Sequence, residues 1–251
     1  MIPNKFHFIF GLTEDFGGKP FNIVHYLAIK SAYDLNNPEV IYFYYTYEPS
    51  GEYWEKAKPY LTLIQVEAPD EIFGNKIEHM AHKADIIRLQ ALYEHGGIYM
   101  DMDTICVQSF KSLLDNSTVM GIQGHTDNPE IPYGLCNAII LAEPESEFIT
   151  QWLMQYSSFN HLMWDTHSVQ LPLQMANKLD INITQLPYTS FHYPLHTKEG
   201  IKAMFGENKT FPKAYAHHLW ESNAWDYIKN LTEESIKTKD TTYNKIARRF
   251  L

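Results

Sequence analysis

Cysteine is scarce in this chain: Cys106 and Cys136 are the only two in 251 residues, and they form no CxxC pair. They suggest no disulfide framework, and a reducing, cytoplasmic setting is expected. Long apolar runs are absent too, and no stretch approaches the length of a membrane-spanning helix. The opening MIPNKFHFIFG is apolar, but it is short and broken by Pro3, Asn4, Lys5 and His7. It reads as a first strand rather than as a secretory signal. Positive charge is in deficit, with a formal net charge of -10. That leaves no basic footprint for nucleic acid. An acidic chain that handles a polyanionic substrate needs a local basic pocket or a metal cation. Internal repeats, low-complexity blocks and obvious linkers are also missing.

Apolar residues make up 45% of the chain, enough for a sizeable core. Strand and helix patterns alternate along it. Phe6–Phe10, Val40–Tyr45, Leu61–Val66, Ile98–Asp103, Thr118–Gln123, Asn137–Leu141, Ile181–Leu186 and Ala214–Trp220 read as strands. Pro20–Tyr33, with Pro20 in its first turn, Asn75–Glu94, Glu145–Tyr156 and Val169–Leu179 read as helices. Gly96 and Gly97 stop the second of these helices. Such alternation predicts an α/β fold with helices on both faces of a sheet, and ligands beyond the carboxyl ends of the strands. The tail Lys229–Leu251 carries Lys237, Lys239, Lys245, Arg248 and Arg249. It reads either as a solvated terminal helix or as a basic amphipathic helix resting on an anionic membrane face.

At one strand end stands HGGIYMDMDT, His95 to Thr104. Side chains at i and i+2 of a strand share a face, so Asp101 and Asp103 would project together while Met102 faces the core. Two neighbouring carboxylates repel unless a cation sits between them. Carboxylate oxygens suit Mg²⁺ or Mn²⁺, and an open site of that kind commonly takes a phosphate or diphosphate. A solvated loop after a strand is the plainer account of the same two residues. On the preceding helix Asp85 and Arg88 lie three apart on one face, as a surface ion pair would.

Taken together, KADIIRLQALYEHGGIYMDMDT resembles the signature of the DXD sugar-binding region glycosyltransferases, family 32, which include yeast-type α-mannosyltransferases and many bacterial capsule and lipopolysaccharide enzymes. Their pattern is roughly S-D-x-x-R-x-x-x-L-x-x-x-G-G-x-Y-x-D-x-D. Asp85, Arg88, Leu92, Gly96, Gly97, Tyr99, Asp101 and Asp103 match it, with Ala84 in place of the usual serine. IPNKFHFIFG resembles the family's opening segment, with Phe10 where tryptophan is usual. HHLWESNAW resembles its H-x-W-x-x-S-W block through His218 and Trp220, with the spacing from Ser222 to Trp225 stretched by two residues. The likeness runs from about residue 2 to about residue 225.

The resemblance implies a GT-A fold over residues 1–225, a Rossmann-like nucleotide-binding sheet flanked by helices, followed by a basic helical tail over 226–251. It implies a nucleotide-sugar donor and Mn²⁺ or Mg²⁺. Asp101 and Asp103 would be the catalytic, metal-holding pair: Asp103 in direct contact, Asp101 through water or the donor's ribose. His218 would be a third ligand or a diphosphate contact, or else a packed histidine. His217 should face the opposite way on a strand. Phe10 or Phe8 would stack on the donor's base. Asp85, Arg88 and Tyr99 would bind the donor, an Arg fork suiting phosphate or sugar hydroxyls. The alternative for Asp85 and Arg88 is an ion pair pinning helix to sheet. Asn137, in LCNAII, would touch the transferred sugar or the acceptor, or else mark a strand-edge turn. Ser222 and Trp225 would close over the donor, with Trp220 a core residue or part of that loop. The Pro-, Gly-, Asp- and Asn-rich segment His125–Gly134 is expected to be a loop by the acceptor.

Enzymes of this family retain anomeric configuration. A double displacement would need a far-face carboxylate, for which Asp127, Glu130 and Asp165 are the choices; a front-face route needs none. The expectation is thus a metal-dependent hexosyltransferase with a UDP-hexose donor favoured, GDP-mannose as the other possibility, and a glycan or glycolipid acceptor. Two rivals differ in class. An aspartate-dependent phosphatase or phosphotransferase also uses Asp-x-Asp after an apolar strand, but position 105 is Ile where that motif needs Thr or Val. A non-catalytic nucleotide-sugar binder would be expected to lose one of the two aspartates.

Overall fold

The computed structural model describes every residue from Met1 to Leu251. The chain runs β1 (Lys5–Ile9), α1 (Ile23–Asn36), β2 (Val40–Tyr45), α2 (Glu52–Ala57), β3 (Thr62–Gln65), a two-residue hairpin of β4 (Glu71–Ile72) and β5 (Asn75–Lys76), then α3 (Met80–His95), β6 (Gly97–Met100) and β7 (Thr104–Cys106). It continues with β8 (Thr118–Gly124), β9 (Pro132–Ala142), α4 (Glu147–Gln155), a π-helical turn at Thr166–Gln170 leading into α5 (Leu171–Lys178), β10 (Thr184–Leu186) and α6 (Lys198–Phe205). The last elements are β11 (Ala216–His218), α7 (Glu221–Ile228), α8 (Glu233–Thr238) and α9 (Thr242–Ala247).

Seven strands form one sheet in the order β10-β8-β9-β6-β1-β2-β3. β1 pairs parallel with β2 and β6, and β9 is antiparallel to both its neighbours. The strands alternate between two cores. Phe6, Phe8, Ile41, Phe43 and Ile98 pack with α1 and α2 on one face; Ile9, Tyr44, Tyr99 and Ile140 pack with α3, α4 and α5 on the other. β6 is buried on both faces, which is why it reads as an unbroken apolar run. Gly97 starts β6 at φ +110°, and a Cβ there would stand 2.4 Å from the Lys5 carbonyl oxygen. Only glycine lets β1 and β6 close at this point.

The structure shifts several expected boundaries. α1 begins at Ile23, because Asn22 supplies the cap that Pro20 cannot, its side chain accepting from Val24 N and its own N–H donating to His25 Nδ1. α3 begins at Met80, after Asn75 and Lys76 are taken by the hairpin; its cap is His79, a residue type that signals no helix start. β6 stops at Met100, so Asp101 and Asp103 sit in a turn rather than on a strand, although Met102 still points into the core. β9 reaches back to Pro132 and absorbs the end of the expected loop.

The tail is helical in two short pieces rather than one long helix. Its apolar residues Ile236, Tyr243, Ala247 and Phe250 are buried with Ile23, Leu27 and Ile105 in a third core. The apolar face that a membrane-resting helix requires is therefore turned inward, and residue 226 falls within α7. No helix is long and apolar enough to cross a membrane.

Candidate active site

The Asp101–Asp103 turn is pinned from both sides. Asp101 N donates to the Ala138 carbonyl of β9 at 2.8 Å, and Leu219 N donates to the Asp103 carbonyl at 2.7 Å. Thr104 Oγ1 donates to the Asp101 carbonyl at 2.6 Å. β7 follows the turn directly and pairs antiparallel with β11, register Thr104 to His218. This small two-stranded sheet carries the C-terminal histidine to the aspartates: His218 Nε2 lies 3.3 Å from Asp103 Oδ2. One ligand atom from each of Asp101, Asp103 and His218 falls within 4.8 Å of the others. His217 faces away, bonded through Nδ1 to the Tyr193 carbonyl at 3.0 Å, and burial lowers its pKa to about 4.

The two aspartates are held differently. Asp103 Oδ2 also accepts from Glu221 N at 2.7 Å, at the start of α7. Burial works against its charge, but His218 and that N–H outweigh burial and keep the carboxyl well below the usual range. His218 is raised well above its usual value, with Asp103 overcoming the opposing effect of burial. Asp101 has one oxygen occupied: Oδ1 accepts from Tyr99 OH at 2.5 Å and lies 3.2 Å from Arg88 Nη1.

Arg88 organises the adjoining wall. It is buried, and its guanidinium meets Asp85 Oδ1 at 3.2 Å, Asp101, the Asn137 carbonyl at 2.8 Å and the Tyr99 ring at 4.4 Å. Asn137 Nδ2 donates to Asp85 Oδ1 at 2.6 Å. Burial pushes the Asp85 carboxyl up, against the pull of Arg88. The helix half of the motif is thus a buried ion pair and the wall of a cleft at once; the two accounts of Asp85 and Arg88 are compatible. Asn137 lies inside a central strand, not at a strand-edge turn.

The cleft holds about 400 Å³ and is lined by Asp85, Arg88, Asp101, Asp103, Asn137, His218 and Ser222, among others. A smaller apolar pocket of about 190 Å³ opens beside it, sharing Arg88 and Asp101 and lined by Phe10, Phe16, Leu12 and Tyr99. Phe10 stacks on Phe16 at 5.6 Å and nearly parallel, 9°. Phe8 is not in either pocket. It is fully buried against α1, because alternation along β1 sends Phe6 and Phe8 to the same inner face. Trp225 does not line the cleft either: three residues past Ser222 on α7, it packs against the third core with Lys19 Nζ 5.6 Å from its ring. Trp220 lines the cleft in its place, its ring 3.9 Å from His218 and its backbone left-handed at φ 55°.

Of the three far-face carboxylates, Asp165 lines the cleft, held by Tyr133 OH at 2.7 Å and Gln170 Nε2 at 2.8 Å; Asp127 and Glu130 are exposed outside it. Sequence reasoning missed Gln123, Cys136, Trp164, His196 and Glu221, which also border the cleft. Cys136 had a signal in its position next to Asn137, and Glu221 in its place inside the HHLWESNAW block. Gln123, Trp164 and His196 lie in segments without a motif.

Carboxylates in a sheet-end turn, a histidine delivered to them and an arginine-lined cleft define a DXD glycosyltransferase of the GT-A fold. Among solved structures, mouse xyloside xylosyltransferase 1 superposes with a TM-score of 0.53 at 11% identity, over 87% of this chain and 98% of that one. GlyE of Streptococcus pneumoniae gives 0.53 at 15%, over 100% and 60%. The family described as "Glycosyltransferase sugar-binding region containing DXD motif" matches residues 26–120. Glucan organizing enzyme 1 of Cryptococcus neoformans is 36% identical over 260 residues, spanning 100% of this chain and 71% of that protein. Inositol phosphoceramide mannosyltransferase 1 of Schizosaccharomyces pombe is 35% identical over 79 residues, 32% of this chain and 23% of its own length. The chain belongs to this DXD glycosyltransferase family, family 32.

Proposed function

We propose that the protein is a metal-dependent, retaining hexosyltransferase that takes a nucleotide sugar and glycosylates a glycan or a glycolipid. The observation that carries this reading is the Asp101, Asp103 and His218 cluster opening on a cleft flanked by Arg88 and Asn137. Two carboxylates and one imidazole fit Mn²⁺, and Mg²⁺ less well, since Mg²⁺ prefers oxygen alone. Asp103 and His218 would hold the ion directly, and Asp101 would approach it with the oxygen that Tyr99 and Arg88 leave open. Bound there, the cation supplies Lewis-acid neutralisation of the departing diphosphate.

The rest falls to the chain itself. Arg88 is held in its charged form beside the cleft and adds positive potential where the diphosphate lies. Phe10 and Phe16 offer the apolar side pocket to the base. Asn137 and Asp85 present polar groups to sugar hydroxyls. Retention by double displacement would fall to Asp165, the one of the three expected carboxylates that lines the cleft. UDP-hexose is our favoured donor. The S. pombe relative, by its name a mannosyltransferase acting on inositol phosphoceramide, keeps GDP-mannose and a glycolipid acceptor in contention. The test is release of nucleoside diphosphate from UDP-glucose, UDP-galactose and GDP-mannose with Mn²⁺ and with chelator. One nucleotide class should be turned over, and chelation should abolish it; turnover untouched by chelation would refute the metal dependence.

A further inference from the structure

A second group of metal-ligating side chains lies under the aspartate turn. Cys136 of β9, His192 and His218 are all buried, and one ligand atom from each falls within 4.8 Å of the others. His192 is 0% exposed, and neither of its ring nitrogens has a hydrogen-bond partner. Nδ1 of His218 is likewise buried without one. A neutral imidazole carries one donor and one acceptor, and leaving both unmet in a core is destabilising. The one polar side chain facing these three nitrogens is the Cys136 thiol, a weak hydrogen-bonding group and a strong metal ligand. Space is reserved for them as well: Gly121 of β8 has no Cβ, and one placed there would stand 3.2 Å from His192 Nε2.

We propose that Cys136, His192 and His218 form a site for a thiophilic transition-metal ion, Zn²⁺ being the natural occupant by chemistry. One sulfur and two nitrogens are soft to borderline donors, unlike the carboxylate-rich pair above them. Tetrahedral Zn²⁺, with bonds of about 2.3 Å to sulfur and 2.0–2.1 Å to nitrogen, holds its ligand atoms roughly 3.3–3.7 Å apart. The ligand atoms, now within 4.8 Å of one another, would draw together to that range on binding. Binding would displace the thiol proton to solvent and form the metal–sulfur bond, with no change of oxidation state. Three protein ligands leave a fourth position open, on the side of the cleft that Cys136 and His218 both line.

The site is independent of the transferase reading except at His218. That ring has Nε2 turned to Asp103 and Nδ1 free. Holding a cation on each nitrogen at once would strip the ring of both protons, so occupancy below and occupancy at the aspartates are antagonistic.

The experiment uses Co²⁺ as the probe, titrated into the reduced, metal-free protein and followed by absorption. The site predicts a thiolate-to-cobalt charge-transfer band in the near ultraviolet at one equivalent, displaced by Zn²⁺. Cys136→Ser should abolish the band. His192→Gln should weaken Co²⁺ binding at least tenfold. Cys106→Ser should leave the band unchanged, since that thiol lies in the core beside Met100 Sδ at 3.6 Å. Asp103→Asn should also keep it, because the charge-transfer band reports sulfur and not carboxylate. Near-ultraviolet circular dichroism checks that each variant is folded. No band in folded wild-type protein, or a band that survives Cys136→Ser, would overturn the proposal. Failure of the transferase assays would leave these readings untouched.

Discussion

Nε2 of His218 lies 3.3 Å from Oδ2 of Asp103, and the pairing of two three-residue strands, β7 and β11, brings them together. The same carboxylate oxygen accepts from Glu221 N at the start of α7. Asp103 is thus oriented by the C-terminal block before any ligand arrives. Removing His218 takes a ligand from the cation and the ion-pair partner from Asp103. His218→Ala is expected to weaken Mn²⁺ binding by about 10–100-fold and to lower the melting temperature as well, because the Asp103 carboxylate is left unpaired. Titration of Mn²⁺ followed by electron paramagnetic resonance, beside a thermal melt, reads both.

Phe10 and Phe8 separate binding from packing. Phe10→Ala opens the apolar side pocket and is expected to weaken nucleotide binding about tenfold, or 1.4 kcal/mol. Phe8→Ala leaves a cavity under α1 and should cost about 3–5 kcal/mol of stability, with the affinity of the folded fraction unchanged. Urea unfolding and a nucleotide titration on each variant make the comparison.

Arg88 sits between Asp85 and Asp101, and truncation would strand both carboxylates. Arg88→Ala is expected to lose about 3–5 kcal/mol of stability. Arg88→Lys keeps the charge but not the fork, so it should fold and still lose at least tenfold in turnover. A lysine variant with full activity would show that the guanidinium geometry does not matter.

How far the site could be read from sequence follows from where each residue sits. Asp85, Arg88, Tyr99, Asp101 and Asp103 are close in the chain, spaced by one helix and one strand, so their grouping was legible. His218 was legible only through the Trp220 block, because its approach depends on β7 and β11, each too short for a periodic signal. Phe8 and Phe10 look alike as letters; only the end of β1 distinguishes an inner face from a pocket. The tail's charges suggested a solvent or membrane face, but Tyr243 and Phe250 are buried against α1 and β7 residues far away in sequence. Short α2, α6 and α7 carry too few turns to announce themselves, and the far wall with Trp164 and Asp165 arrives through a π-helical turn.

His7 predicts the acid sensitivity of the fold. It is buried, bonded to Tyr44 OH at 3.0 Å and to the Gly96 carbonyl at 2.7 Å, and burial lowers its pKa from 6.5 to about 4. Between those values the unfolded chain binds a proton that the folded chain does not. This contribution is complete above pH 6.5 and is lost as pH falls towards 4, by up to roughly 3 kcal/mol. Urea midpoints should drop across that window, and His7→Gln, less stable at neutral pH, should show a shallower drop. His217 acts in the same direction and His218 in the opposite one, so the comparison decides: an equal drop in the wild type and His7→Gln would contradict the assignment.

The central claim is that Asp103 binds a cation that in turn binds a nucleoside diphosphate. Calorimetric titration with UDP and with GDP, each with and without Mn²⁺, on the wild type and on folded Asp103→Asn tests it most directly. The account predicts that one of the two nucleotides binds only with Mn²⁺, and that the variant loses at least tenfold in affinity. Binding that ignores Mn²⁺, that survives the substitution, or that is absent for both nucleotides would contradict it.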